Sequence, residues 1–188
     1  MNRIVFVIAI LFAGCARTDE HRNQPSSEIA GHQPLSIPAD FAVTERGIGP
    51  LRAGMTVAEA KAVFPSFEMP PGTGPGSGAC DYAAVKELPR GVRVLVEDGV
   101  VGRVDVDTST VPTAAGARVG DSEARIKSLY PNQVNVSPHK YTDGHYLTVT
   151  PRAKSDSAFR IIFETDGKRV INYRAGQRPQ VEYVEGCA

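Results

Sequence analysis

Residues 52–65 and 118–131 carry one pattern twice, and nothing else in the chain restricts its fold as much. The first copy reads Arg52-Ala53-Gly54-Met55-Thr56-Val57-Ala58-Glu59-Ala60-Lys61-Ala62-Val63-Phe64-Pro65. The second reads Arg118-Val119-Gly120-Asp121-Ser122-Glu123-Ala124-Arg125-Ile126-Lys127-Ser128-Leu129-Tyr130-Pro131. Arg, Gly, Ala, Lys and Pro recur at matched places, Thr56 matches Ser122, and Phe64 matches Tyr130. Self-similarity at this spacing predicts one domain built from two similar halves, about 47–110 and 111–188.

Each copy reads as a short helix. Thr56 followed three residues later by Glu59 is a capping box, in which each side chain satisfies a free backbone N–H of the first turn. Ser122 caps the second copy, with Arg125 in place of the reciprocal Glu. Val57, Ala60, Val63 and Phe64 form one apolar face; Ile126, Leu129 and Tyr130 form its counterpart. Pro65 and Pro131 stop both helices. Such short helices need a sheet to cover the apolar face.

After each helix the period becomes two. Val92, Val94 and Val96 alternate around Arg93 and Leu95, and Asp98-Gly99 is a hairpin signal because both residues accept positive φ. Val100–Val106 returns. Tyr146–Val149, Phe159–Glu164, the Asp166-Gly167 turn and Arg169–Arg174 repeat the scheme. A last strand is expected near Gln180–Val184. The prediction is an α+β fold: two helix-plus-hairpin repeats forming one antiparallel sheet, with helices on one face and the other face polar.

The opening residues read as an address. Arg3, the apolar run Ile4–Phe12 and small residues before Cys15 form a secretory signal over 1–14. The run is too short to span a bilayer as a helix. Leu11-Phe12-Ala13-Gly14-Cys15 resembles a bacterial lipobox, which implies cleavage before Cys15 and acyl chains, palmitate among them, on that cysteine. Ala16 after the cysteine implies the outer membrane, facing the periplasm. Residues 15–40, polar and broken by Pro25, Pro34 and Pro38, read as a disordered tether. The folded domain is 41–188. An ordinary secretory signal is the alternative.

With Cys15 lipidated, Cys80 and Cys187 remain as an even pair in an oxidising compartment, where disulfides persist. Their bridge would close a loop of about 110 residues and contribute roughly 4–5 kcal/mol in the chain-entropy picture. Two free buried thiols are the other reading.

Basic and acidic residues balance at 21 each. That excludes the basic stripe nucleic acid requires. No catalytic constellation emerges. There is no Gly-x-Ser-x-Gly elbow. His139 and His145 flank the turn Tyr141–Gly144 as surface residues, short of a metal set. Gly72–Gly78 lacks the Lys-Ser/Thr ending of a phosphate loop. Asp105 with Asp107, and Glu182 with Glu185, read as solvated acids. No catalytic residue, no metal and no cofactor are expected.

The segment Arg52–Ala60, Arg-x-Gly-Met-Thr-x-x-Glu-Ala followed by a hairpin, resembles small envelope domains of the BamE/SmpA type. Duplicated, it is similar to the tandem domain of β-lactamase inhibitory protein. The resemblance implies a lipid-anchored envelope protein that binds another envelope or secreted protein and is not an enzyme. One form would be an inhibitor of a secreted or periplasmic hydrolase; the alternative is an outer-membrane assembly or structural accessory. The membrane contact would come through the N-terminal lipid. The expected binding surface is the open sheet face, with Arg93, Leu95, Arg103, Tyr146, Thr148 and Arg160, because Tyr and Arg are over-represented at binding hot spots.

Overall fold

The computed structural model describes residues 41–187. The signal (1–14), Cys15 and the tether (15–40) lie outside them. Three two-residue strands, β1 (Val43–Thr44), β2 (Gly47–Ile48) and β3 (Leu51–Arg52), form a small antiparallel sheet. Helix α1 (Val57–Val63) follows, then β4 (Cys80–Ala83), β5 (Val92–Glu97) and β6 (Val100–Val106). Helix α2 (Glu123–Leu129) precedes β7 (Val134–Pro138), β8 (His145–Val149), β9 (Phe159–Thr165) and β10 (Val170–Gln177). The large sheet runs β4-β5-β6-β10-β9-β8-β7, and every neighbouring pair is antiparallel.

The fold is mostly β, which corrects the expected α+β layering. Among the described residues, ten strands lie in two antiparallel sheets of three and seven strands, beside two helices of seven residues each. The physical reason is length. Pro65 and Pro131 end each helix after two turns, so each buries one residue fully, Ala60 or Ile126. The rest of the apolar layer comes from elsewhere: Val43, Ile48 and Leu51 of the small sheet, and Phe67, Leu88 and Val111 of connecting loops. These pack with Val94, Val104, Leu147, Phe163 and Tyr173 of the large sheet in one core.

What the repeat encodes is local. Thr56 Oγ1 accepts the Glu59 N–H at 3.2 Å, and the Glu59 carboxylate accepts the Thr56 N–H at 2.8 Å. Ser122 Oγ accepts the Arg125 N–H at 3.2 Å. Each helix start is then sewn to its own hairpin. Gly54 N–H donates to Val101 O and Val101 N–H to Met55 O; Gly120 N–H donates to Val170 O and Val170 N–H to Asp121 O. The bridges Thr56 to Val100 and Ser122 to Arg169 complete the match.

The two hairpin turns differ. Asp98 and Gly99 both have positive φ, 49° and 77°, as a type I′ turn demands. At the second turn only Gly167 does, φ 91°. There the Asp166 carboxylate accepts the N–H groups of Lys168 and Arg169 at 2.8 and 2.7 Å, closing a longer loop. The expected last strand is absent. Gln180–Glu182 forms a 3-10 turn instead, and the segment 178–187 lies across the second face of the large sheet as a strap.

Candidate functional site

Antiparallel pairing aligns the outward side chains of the large sheet into rows. One row is Tyr82, Leu95, Arg103, Gly176 and Arg160; the next is Arg93, Asp105, Arg174, Ile162 and Thr148; a third is Asn172, Glu164 and Tyr146. A bulge between Leu95 and Val96 leaves Gly102 as an extra residue on β6. Gly102 turns toward the strap, and a Cβ there would stand 2.7 Å from Gln180 Cβ. The missing side chain lets the strap approach.

Two buried arginines hold the strap. Arg103 donates to the carbonyls of Gln180, at 2.9 Å, and Tyr183. Its Nε also bonds the Asp105 carboxylate at 3.1 Å. Arg174 Nε donates to Val181 O at 2.7 Å, and its Nη1 pairs with Glu164. Val181 is fully buried against Tyr146 and Ile162. The strap ends where Cys187 bonds Cys80 on β4, with Cα atoms 5.2 Å apart and the two cysteines 107 positions apart in sequence.

The six residues expected on the face therefore split. Leu95, Arg103 and Tyr146 are buried, at 0%, 3% and 9% exposure. Tyr146 also stacks on His139, with ring centroids 4.5 Å apart. Thr148 is half-buried, and Arg160, also half-buried, donates to Ser157 O and Phe159 O at 2.7 and 2.6 Å. Arg93 is exposed; its guanidinium lies over the Tyr82 ring, 4.9 Å from the centroid. No carboxylate comes within 4.0 Å of it among the described residues.

Beside the strap opens a cleft of about 400 Å³, floored by Arg93, Asp105, Glu164, Asn172 and Arg174 and walled by Val184–Gly186. Burial alone would push the Glu164 carboxyl up. The Asn172 amide at 2.9 Å, the Arg174 charge and bond, and His139 outweigh burial and hold it below the usual carboxylate range. Glu164 is thus an ionised acceptor, and Asp105 is engaged by Arg103. The arrangement suits recognition of a polar group rather than proton transfer.

Sequence reasoning missed Arg174, Glu164, Asn172 and His139. The signal for Arg174 was its place between Tyr173 and Ala175, both fully buried in the core, which turns it to the opposite face. The histidines were read as surface residues. The His139 side chain is 9% exposed and lies 3.7 Å from Glu164. His145 bonds Glu123 at 2.7 Å. No cluster of three or more His, Cys, Asp or Glu among the described residues could hold a metal ion, and no helix among them is long and apolar enough to cross a membrane.

No family model matches the sequence, and no curated protein matches it. Among solved structures the chain is similar to the crystal structure of the uncharacterized protein YfeY from Escherichia coli. The two share 15% identity with a TM-score of 0.44, over 72% of this chain and 99% of that one.

Proposed function

We propose that this chain is a lipid-anchored protein of the bacterial envelope whose polar sheet face captures another envelope or secreted protein. The observation that carries the reading is Arg93. It is an exposed cation with no carboxylate within 4.0 Å among the described residues, braced on Tyr82 at the mouth of the cleft. Arg and Tyr together are the residue types that dominate binding energy at interfaces, and a guanidinium on an aromatic ring is oriented before its partner arrives. Arg93, at the mouth of a cleft that is also lined by Asp105, Asp107, Glu164 and Glu185, would take an acidic side chain or the chain terminus of that partner. Thr148 and Arg160 extend the contact on the far side of the strap. Inhibition of a secreted or periplasmic hydrolase is the concrete form this reading takes, supported by the resemblance of the repeat to tandem inhibitory domains.

The test is crosslinking in intact cells, followed by purification from detergent-solubilised membranes. Arg93→Ala with Arg160→Ala should lower recovery of the bound partner about tenfold or more, with the far-UV spectrum unchanged. Undiminished recovery sinks the face. A barrel-assembly complex in the eluate, in place of a hydrolase, would replace inhibition by an assembly role. Acyl labelling that survives Cys15→Ser would remove Cys15 as the anchor site, and a parent chain that takes no acyl label would remove the anchor.

A further inference from the structure

The two edges of the seven-stranded sheet are finished differently. Pairing with β5 leaves Cys80, Tyr82 and Ala84 pointing their backbone groups outward from β4, since Asp98 N–H donates inward to Ala79 O. That edge is partly taken up, with Tyr82 N–H turned to the Asp81 carboxylate at 2.7 Å. Ala84 and Glu68 exchange two backbone bonds, at 2.8 and 2.9 Å, and Cys80 is held by Cys187.

Strand β7 is open. Thr150 N–H donates to Gln133 O and His139 N–H to Gly144 O, both at 2.9 Å. These two bonds fix the alternation. Gln133, Asn135, Ser137 and His139 bond toward β8, so Val134, Val136 and Pro138 turn N–H and C=O away from it. No described residue takes up those groups. Pro138, which has no N–H, stands where only a carbonyl faces outward. Val136 is 42% exposed. No charged side chain lies between Asn132 and His139, although edge strands are normally guarded by charge.

We propose that β7 pairs antiparallel with β7 of a second copy of this chain, joining two sheets across a two-fold axis. Registers centred on Asn135 or on Val136 both satisfy all four outward N–H groups of the pair. A register centred on Pro138 sets two residues without N–H against each other. The segment is self-complementary: valine meets valine or proline on one face and Asn135 meets asparagine or serine on the other. Pairing brings no like charges together. Formal net charge is zero over the full sequence and about −1 once Arg3 of the signal is removed, so copies repel little at a distance. An isologous contact of this kind closes at two copies. The pairing leaves the Arg93 cleft free.

Four exchanged hydrogen bonds imply weak association, with dissociation on the order of 1 mM or tighter. Sedimentation equilibrium of the purified chain up to about that concentration should show a monomer–dimer equilibrium. Concentration-dependent amide NMR shifts should fall on Val134 and Val136 and spare Asn135 and Ser137. Val136→Pro removes an outward N–H without touching a bond to β8 and should abolish the dimer. Val136→Lys, which keeps the backbone donor and places like charges together, should weaken it at least tenfold and serves if the proline variant misfolds. Under mild oxidation Val136→Cys or Asn135→Cys should crosslink to itself, since cross-strand Cα distances of about 4.5–5.5 Å suit a disulfide. A chain that stays monomeric with neither variant crosslinking overturns the proposal. So does a dimer indifferent to Val136→Lys.

Discussion

The two faces of the large sheet are both covered, by opposite means. One meets a continuous apolar layer in which Ile126, Leu147, Phe163 and Tyr173 interlock. The other meets a short strap held through backbone carbonyls by Arg103 and Arg174, with Val181 as its one fully buried apolar side chain. On the first face, shape and area set stability. On the second, a few charge-assisted bonds and one covalent link do so. The lesson is that a polar sheet face need not be an open one.

The covalent link should matter most. Replacing Cys80 and Cys187 together by Ser is expected to cost roughly 4–5 kcal/mol in urea denaturation, given a closed loop of 107 positions. A loss below about 1 kcal/mol would mean that the strap is held by its other contacts. On the apolar face, Phe163→Ala should cost about 3–5 kcal/mol by the same measurement. Arg174→Ala, which strands Glu164 with less of its compensation, should cost about 3 kcal/mol. Arg174→Met with Glu164→Leu should recover most of that loss. If the single variant is neutral, the strap face is passive.

Both faces should respond to pH in the same direction. The Glu164 pKa is lowered on folding, so its contribution is complete above the ordinary glutamate value of 4.5 and is lost as pH falls through the folded value. Glu123 behaves alike: burial raises it, but hydrogen bonds from Thr165 and His145 bring it down further. Stability measured from pH 6 downward should therefore fall below about 4.5, and less steeply in Glu164→Gln. The smallest effect concerns the repeat itself. Thr56→Ala should cost about 1 kcal/mol, and Ser122→Ala less, because only Thr56 sits in a reciprocal box.

The sequence exposed what depends on neighbours a few residues apart. Thr56 and Ser122 cap their helices, Asp98-Gly99 makes its turn, and Pro65 and Pro131 end both helices because these choices are local. What it hid depends on partners far away. Val181 and Tyr183 alternate with Glu182 as a strand would, yet buried Arg103 and Arg174 claim their carbonyls and no ladder forms. The bulge at Gly102 shifts the side-chain phase of β6 by one, which alternation alone cannot show. His139 looked solvent-facing because its stacking partner Tyr146 lies across a turn. The missing helical layer was a matter of area: two helices of seven residues each cannot roof seven strands.

Arg103 belongs to β6 and Arg174 to β10, the strands along which the two halves meet. Neither arginine alone makes a seat for residues 180–183. The closing segment touches both halves at once, and its disulfide ties the end of the second to Cys80 of the first. The tail is thereby a latch across the seam, and its covalent end fixes the latch in place.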